Sequence, residues 1–376
     1  MKNQTKTIAI LTYGTHKPLG TFSKGYIEDL PYNKLTLFGG LIPFLKLGTP
    51  LWKQKIIRYI ITLLALNNPE KIESLKAKRL EKLLLKYNVD CCLAEFLNTG
   101  ASVKAIAEKC NIPLISNVLG YEINDSRYYE KFKQKYIELS DYQSFTIPVA
   151  RDMVPKLIEL GFKKDTIIYS PIGPSEDFLK LNPNYNSSQF IFIGRMTETK
   201  SPINLIKAFE MVVKVFPQAK LVMAGDGELM TKVKDLIIEL NLQKNVILPG
   251  WITKEQQKKY YEESFCYVQH SVMSSTGDKE GTPVSILEAS AAGLPIISTL
   301  HAGIPDVILN RESGLLVEEH DIATMSKFML ELYGNRELSK KLGIKGKEIV
   351  SQNFSLKKHL EIVESLINKT TNNHPS

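Results

Sequence analysis

Cysteine is scarce in this chain. Cys91, Cys92, Cys110 and Cys266 are the only four in 376 residues. None has Cys-x-x-Cys spacing and most lie in apolar surroundings, which argues against a disulfide framework or a thiolate zinc site and for a reducing, cytoplasmic compartment. Long apolar runs are also missing. No stretch reaches the ~18–20 apolar residues of a membrane span. The chain enters an apolar strand pattern at Thr7 to Thr12 without a basic-then-apolar leader, so a secretory route is not expected. There is no arginine-rich tract, zinc spacing or RNA-binding aromatic motif, so nucleic acid is not the expected partner. No Asp-x-Asp pair offers a metal site. The net charge of +8 and pI of about 9.0 therefore point to another anionic partner, an acidic membrane surface or a nucleotide.

What is present alternates. Strand patterns at Thr7 to Thr12, Lys34 to Phe38, Val89 to Phe96, Pro113 to Val118 and Thr166 to Ser170, with one more after Ser140, are interleaved with helical patterns at Ala101 to Cys110 and Val149 to Leu160. Gly14 to Lys24 reads as a loop before a short helix ending near Leu30. Pro171 to Ser188 is rich in Pro, Asn and Ser and reads as a linker. A second alternating series runs from Phe190 to Val317. Helical patterns then cover Asp321 to Tyr333, Arg336 to Gln352 and Phe354 to Asn368, and Thr370 to Ser376 reads as a frayed tail. The length alone favours two domains. The expected class is α/β with doubly wound parallel sheets. The expected units are 1–172, a linker at 173–188, 189–353, and a C-terminal helix and tail at 354–376.

Two clusters carry chemistry. The first is Glu280-Gly281-Thr282-Pro283-Val284-Ser285-Ile286-Leu287-Glu288, which follows the apolar strand pattern Phe265 to Val268 and the polar loop Ser271 to Gly281. Thr282 is a candidate cap, Pro283 suits a first helical position, and Gly293 ends the helix. Glu280 then stands in the loop mouth and Glu288 about one and a half turns into the helix, with an anion-attracting N-terminus between them. The second cluster is Gly194-Arg195-x4-Lys200, where a strand at Gln189 to Gly194 runs into a helix at about Ile203 to Val215. Open α/β sheets bind ligands at such turns, and two cations there can neutralise a diphosphate leaving group.

Gly-Arg-x4-Lys followed by Glu-x7-Glu is accompanied by LVMAGDGE at Leu221 to Glu228, NVILPGWI at Asn245 to Ile252 and GLPIISTLHAGIPDVI at Gly293 to Ile308. Together these resemble the retaining GT-B glycosyltransferases of family 4, the group 1 transferases. The resemblance is strong from about Phe190 to Val317 and weaker before it. It implies two Rossmann-like domains facing across a cleft, with acceptor binding in the first and donor binding in the second. It implies a UDP- or GDP-sugar donor, a saccharide or lipid-linked acceptor, and neither cofactor nor metal. Arg195 and Lys200 would stabilise the diphosphate, Glu280 would touch the donor sugar and Glu288 the ribose. Gly281, Thr282, Pro283 and Ser285 would supply the phosphate-facing helix start, Gly250 part of the base pocket through its backbone, and Gly20 an approach to the diphosphate from the first loop. Trp251 reads equally as core packing.

The first domain departs from the family pattern. Asn117-Val118-Leu119-Gly120-Tyr121-Glu122 stands where relatives commonly read Thr-Phe-His-Gly-Tyr-Asp, with a histidine that approaches the reacting sugar; either Leu119 replaces that histidine or the two segments are offset by a few positions. His16 is a candidate substitute and His270 a candidate cleft residue, though each also suits an ordinary loop or structural role; His301 reads as structural. Leu51 to Leu66 mixes Lys53, Lys55 and Arg58 with Trp52, Ile56, Ile57, Tyr59 and Ile60. This is the pattern of a basic amphipathic helix at a lipid interface, or of a domain helix with a solvated face. The expected function is a metal-independent glycosyltransferase in cell-surface polysaccharide or glycolipid synthesis, cytoplasmic and peripheral at the inner membrane face. The competing expectations are a nucleotide-sugar-binding partner subunit without turnover, and an epimerase or phosphorylase on the same architecture.

Overall fold

The computed structural model describes residues 5–15, 20–66 and 68–373. Strands β1 (Thr7–Leu11), β2 (Asn33–Phe38), β3 (Leu45–Lys46), β4 (Cys91–Ala94), β5 (Leu114–Val118) and β6 (Phe145–Pro148) form one sheet. They are connected through helices α1 (Gly20–Asp29), α2 (Leu51–Ala65), α3 (Pro69–Lys86), α4 (Leu97–Lys109), α5 (Tyr121–Asn124), α6 (Ser126–Ser140) and α7 (Val154–Glu159). A second sheet holds β7 (Gln189–Ile193), β8 (Lys220–Ala224), β9 (Val246–Gly250), β10 (Cys266–Val268), β11 (Ile296–Thr299) and β12 (Gly314–Val317). Its helices are α8 (Pro202–Val215), α9 (Met230–Glu239), α10 (Lys254–Glu263), α11 (Val284–Ala292), α12 (Ile304–Val307), α13 (Ile322–Gly334) and α14 (Arg336–Asn353), and α15 (Leu356–Asn373) follows.

The strand orders are β3-β2-β1-β4-β5-β6 and β12-β11-β10-β7-β8-β9. These are the same winding, the one expected of a dinucleotide-binding fold, and it reverses direction between β1 and β4 in one sheet and between β7 and β10 in the other. All neighbours pair in parallel except β2 with β3. Helices cover both faces, which is why the central strands are apolar throughout rather than alternating. The chain thus has the expected α/β class, two doubly wound Rossmann-like domains facing across a cleft.

Three local expectations are corrected. Thr166 to Ser170 is not a strand. Ile168 N and Ser170 N donate to Thr146 O and Pro148 O, but only a single bridge, Thr146 with Ile167, forms beside β6. Pro148 has no N–H with which to return a bond, so the ladder does not propagate. The helix expected over Val149 to Leu160 is a 3-10 turn at Arg151–Met153 followed by α7, with Pro155 in its first turn. The segment expected as a loop to Lys24 is already helical from Gly20.

The linker region contains a 3-10 turn, Glu176–Lys180, pinned by buried Phe178. The C-terminal segment is a regular helix to Asn373 rather than a tail from Thr370. Thr370 is buried and Lys6 Nζ donates to Asn368 Oδ1 at 3.2 Å and Thr371 Oγ1 at 2.7 Å. Helix α15 packs on the first sheet. Leu360, Val363, Leu366 and Ile367 interleave with Ile8, Ile10, Leu93, Ile115 and Ile147. His359 lies among them, its ring bonded to Tyr26 Oη at 2.6 Å and Ser170 Oγ at 2.8 Å. Burial pushes its pKa down to about 4, so the imidazole is neutral there.

Because one face of the first sheet is completed by α15, Leu366→Ala should destabilise the N-terminal domain by ~2–4 kcal/mol in denaturant unfolding. Ile344→Ala, at an exposed position on α14, should change stability by no more than ~0.5 kcal/mol.

Candidate active site

Sequence places Arg195 and Lys200 on the turn after β7, and Ser271 to Pro283 on the long connection after β10. Those two strands are neighbours at the point where the winding reverses, so both segments open on one crevice. The turn geometry needs glycine at one place. Gly225, after β8, has φ +133°, and a Cβ there would lie 1.9 Å from Gly194 O. The β8 turn therefore lies directly against the Gly194-Arg195 turn.

Lys200 Nζ and Glu280 Oε1 are 2.7 Å apart, and both side chains are mostly buried. Glu280 is held from two further sides. Its N–H donates to His301 Nε2 at 3.1 Å, and Ser271 Oγ stands at 3.5 Å from its carboxylate. His301 Nδ1 meets Glu319 Oε1 at 2.6 Å, which fixes the tautomer with the proton on Nδ1. Burial opposes charge on Glu319, but the bonds from His301 and Met273 N outweigh it and hold that carboxyl below its usual range. Behind Ser271 the bonds continue through Gln269 and Tyr267, whose hydroxyl stands 2.9 Å from Ser285 Oγ. Arg195 is exposed beside this pair and has no ion pair among the described residues.

Helix α11 starts one residue later than expected. Pro283 is its N-cap and Thr282 does not cap it. Thr282 Oγ1 instead donates to Val149 O, in the other domain, at 2.6 Å. The first-turn amides at Val284 and Ser285 keep no intrahelical acceptor, so the anion-binding capacity of this helix end is intact. Glu288 is not part of the Lys200–Glu280 group. It is buried, bonded to Lys254 Nζ and accepting from Gln257 Nε2 at 2.6 Å, both on α10. A narrow cavity of about 60 Å³ separates it from Ile172, Gly173 and Phe178 of the linker. Gly250 ends β9 with φ +72° and open space on its side-chain side, and Trp251 beside it is exposed rather than packed in a core.

The two domains meet on backbone. A Cβ on Gly281 would lie 2.5 Å from Leu119 O and 2.6 Å from Val149 Cγ2, and Gly120, at φ +131°, faces Lys279 O and Gly281 N. Leu119 and Gly120 are themselves fixed by buried Glu122, whose two oxygens accept their N–H groups at 2.8 and 3.0 Å. Burial still pushes the Glu122 carboxyl up to about 7 against those bonds. Leu119 thus lies at the domain seam. His270 is structural, bonded to Met325 Sδ and to His320 N, its pKa lowered by burial to about 4. His16 lies outside the described residues, and Gly20 opens α1. Among the described residues no group of three His, Cys, Asp or Glu is placed to hold a metal.

Sequence reasoning missed two features. His301 was read as structural, yet it holds Glu280; its place immediately after β11 was the available signal. Glu95 was hidden in a strand pattern. It directly follows β4, at the reversal point of the first sheet, where its carboxylate accepts from Ser23 Oγ and from Tyr13 N. Tyr13, Phe96, Tyr121 and Tyr128 form a chain of edge-to-face rings beside it, with centroids 6.1, 5.5 and 5.0 Å apart.

Residues 175–349 match the model of the family described as glycosyl transferases group 1. The amylovoran biosynthesis glycosyltransferase AmsK of Erwinia amylovora is 29% identical over 216 residues, which cover 57% of this chain and 53% of AmsK. The poly(ribitol-phosphate) alpha-N-acetylglucosaminyltransferase of Staphylococcus aureus is 30% identical over 177 residues, 47% of this chain and 34% of that protein. The chain therefore spans about half the length of AmsK and about a third of the other. Anabaena HepE, solved with UDP and glucose, superposes over 97% of this chain and 100% of its own with a TM-score of 0.74 at 14% identity, a likeness of fold. Residues 175–349 are thus similar to group 1 glycosyltransferase domains, and the two-domain architecture is the GT-B fold.

Burial raises the Glu95 carboxyl to about 7, opposed by its bonds from Ser23 and Tyr13. The folded state then holds this proton where the unfolded chain, near 4.5, has released it. The stabilisation is complete below pH 4.5 and disappears as pH rises through 7. Relative to Glu95→Gln, the wild type should lose up to ~3 kcal/mol between pH 4.5 and 7 and no more above that, as read from denaturant unfolding at a series of pH values.

Proposed function

We propose that this protein transfers a sugar from a UDP- or GDP-linked donor to a saccharide or lipid-linked acceptor, with retention of configuration, in the synthesis of a cell-surface polysaccharide or glycolipid. The observation that carries this reading is the Lys200–Glu280 pair at the reversal point of the second sheet, next to the unsatisfied amides of α11. Both relatives described above are named as glycosyltransferases, one of amylovoran biosynthesis, and HepE was solved with UDP and glucose.

In this reading Arg195, Lys200 and the α11 amides meet the diphosphate. As the bond between the anomeric carbon and the phosphate oxygen breaks, negative charge grows where these donors already point, and they need little reorganisation to stabilise it. Glu280 orients Lys200 and accepts from the sugar hydroxyls. Glu288 accepts from the ribose, sharing its charge with Lys254. The acceptor oxygen bonds the anomeric carbon and its proton passes to the departing phosphate, so a histidine at position 119 is not required. Glu95 and the adjoining tyrosines supply a polar and aromatic wall for a saccharide acceptor on the facing domain. Retention and independence of metal are supported by the motif resemblance. An anionic membrane at the inner face of the cell is the proposed setting; among the described residues no helix is long and apolar enough to cross a membrane.

Thermal unfolding with UDP, GDP, ADP and TDP, with and without EDTA, tests the donor site. UDP or GDP at 100 times its dissociation constant should add ~2.7 kcal/mol of stability, unchanged by EDTA. Glu280→Ala should lower transfer from the matching nucleotide sugar at least ~100-fold while unfolding as cooperatively as the wild type. Stabilisation by no diphosphate would overturn the donor assignment. A donor that binds but is neither transferred nor slowly hydrolysed would favour the non-catalytic subunit.

A further inference from the structure

Helix α2 is apolar on two opposite sides, and only one of them is used by the fold. Its inner side is anchored by Ile61 and Ala65, with Ile61 packed on Phe38, Phe44 and Leu45 and joined by partly buried Ile57, Ile72 and Leu75. The helical period places Trp52, Ile56, Tyr59 and Leu63, at i, i+4, i+7 and i+11, on the side facing away from that anchor. They are 60%, 48%, 67% and 55% exposed, and Ile60 and Leu64 beside them are 45% and 54% exposed. A helix of a water-soluble surface carries its charges at this pole. Here the pole is aromatic and aliphatic, and the charges sit on its flanks at Lys53 and Lys55.

The charge pattern says what covers this face. Helix α2 contains no acidic residue. Over Leu51 to Lys86, nine Lys or Arg face three Glu, a net of +6 in a chain whose total is +8. Most of the excess positive charge therefore lies on α2 and on α3, the helix packed against it. Two copies docked through this stripe would bring Lys53 and Lys55 of each towards their own equivalents, whereas an anionic surface compensates them. Trp52 and Tyr59 are the side chains that favour the boundary between headgroups and acyl chains. With 15 residues the helix is too short to cross a bilayer, which needs about 20.

We propose that the outer face of α2 is a bilayer-docking surface, inserted parallel to the membrane through Trp52, Ile56, Tyr59 and Leu63 and held by anionic phospholipid headgroups on Lys53 and Lys55. It deepens the membrane setting proposed above and does not depend on the transfer chemistry. The helix also lies beside the cleft rim of the first domain, since Arg58 donates to Thr15 O in the loop after β1. Docking therefore brings that rim to the lipid surface, within reach of an acceptor carried on a lipid.

The test is flotation of the full chain with vesicles of phosphatidylglycerol and phosphatidylcholine in equal parts, against vesicles of phosphatidylcholine alone. The wild type should float with the anionic vesicles and remain below with the neutral ones. Trp52→Glu with Leu63→Glu should lower the bound fraction at least ~10-fold. Lys53→Gln with Lys55→Gln should lower it by roughly fivefold per charge removed. All four positions are exposed, and the variants should keep the wild-type melting temperature and the wild-type response to nucleotide diphosphate. Failure of the wild type to bind anionic vesicles would overturn the proposal, as would equal binding by the Trp52/Leu63 variant. A wild-type dimer that this variant converts to monomer, with no vesicle binding by either, would assign the face to a second copy instead. Loss of the nucleotide response in the wild type would count against the transferase reading and leave the docking result standing.

Discussion

The architecture depends on a close approach of backbone to backbone between the two domains. At the seam, Gly281 has no room for a side chain beside Leu119 O and Val149, and Thr282 spends its hydroxyl on Val149 O rather than on its own helix. Two sheets can present their reversal points to one shared crevice only if their connecting loops meet this tightly. A methyl group here would push the Arg195, Lys200 and Glu280 side of the crevice away from the Glu95 side. The buried Glu122, which locks Leu119 and Gly120 from behind, keeps the N-terminal half of the seam in shape. The seam is thus a steric constraint upheld by a polar one.

Within the second domain, the ion pair between Lys200 and Glu280 is a different kind of device. Two charges that are both largely withdrawn from water lose solvation that their attraction only partly offsets, so such a pair is poor evidence for stability. Its value lies in geometry. Glu280 is held at its backbone N–H by His301 and at its carboxylate by Ser271, from which bonds run through Gln269 and Tyr267 to Ser285 at the start of α11. The lysine therefore approaches a ligand from a fixed direction, in a crevice that already contains the positive end of a helix. Arg195, exposed and without an ion pair among the described residues, adds a second positive charge to that fixed one.

Much of this was legible in the sequence, and the remainder was illegible for identifiable reasons. The second domain follows its pattern closely because its turns carry their own punctuation, as with Gly194 after β7 and Gly293, at φ +96°, after α11. Thr282 looked like a helix cap because local sequence shows only local acceptors; its true partner, Val149 O, is 133 positions away. Glu280 and Glu288 read as facing one cleft, but spacing cannot reveal that α10 holds Glu288 through Lys254 and Gln257. Glu95 was invisible because a carboxyl at the end of an apolar run reads as the end of a strand. Leu51 to Ala65 is helical as its pattern reads, yet only the packed structure shows that it has two apolar sides and which of them is left uncovered.

The crossing of α15 back to the first sheet has a consequence for synthesis on the ribosome. Tyr26 is translated early and its buried partner His359 arrives 333 residues later. Until then Ile8, Ile10, Leu93 and Ile115 have only part of their covering. The domain made first cannot finish first. The nascent chain must hold an open apolar sheet face through the production of the entire second domain, which can meanwhile mature by itself. Order of emergence and order of completion are reversed, and the interval is one in which a holdase, or the second domain itself, has a surface to shield.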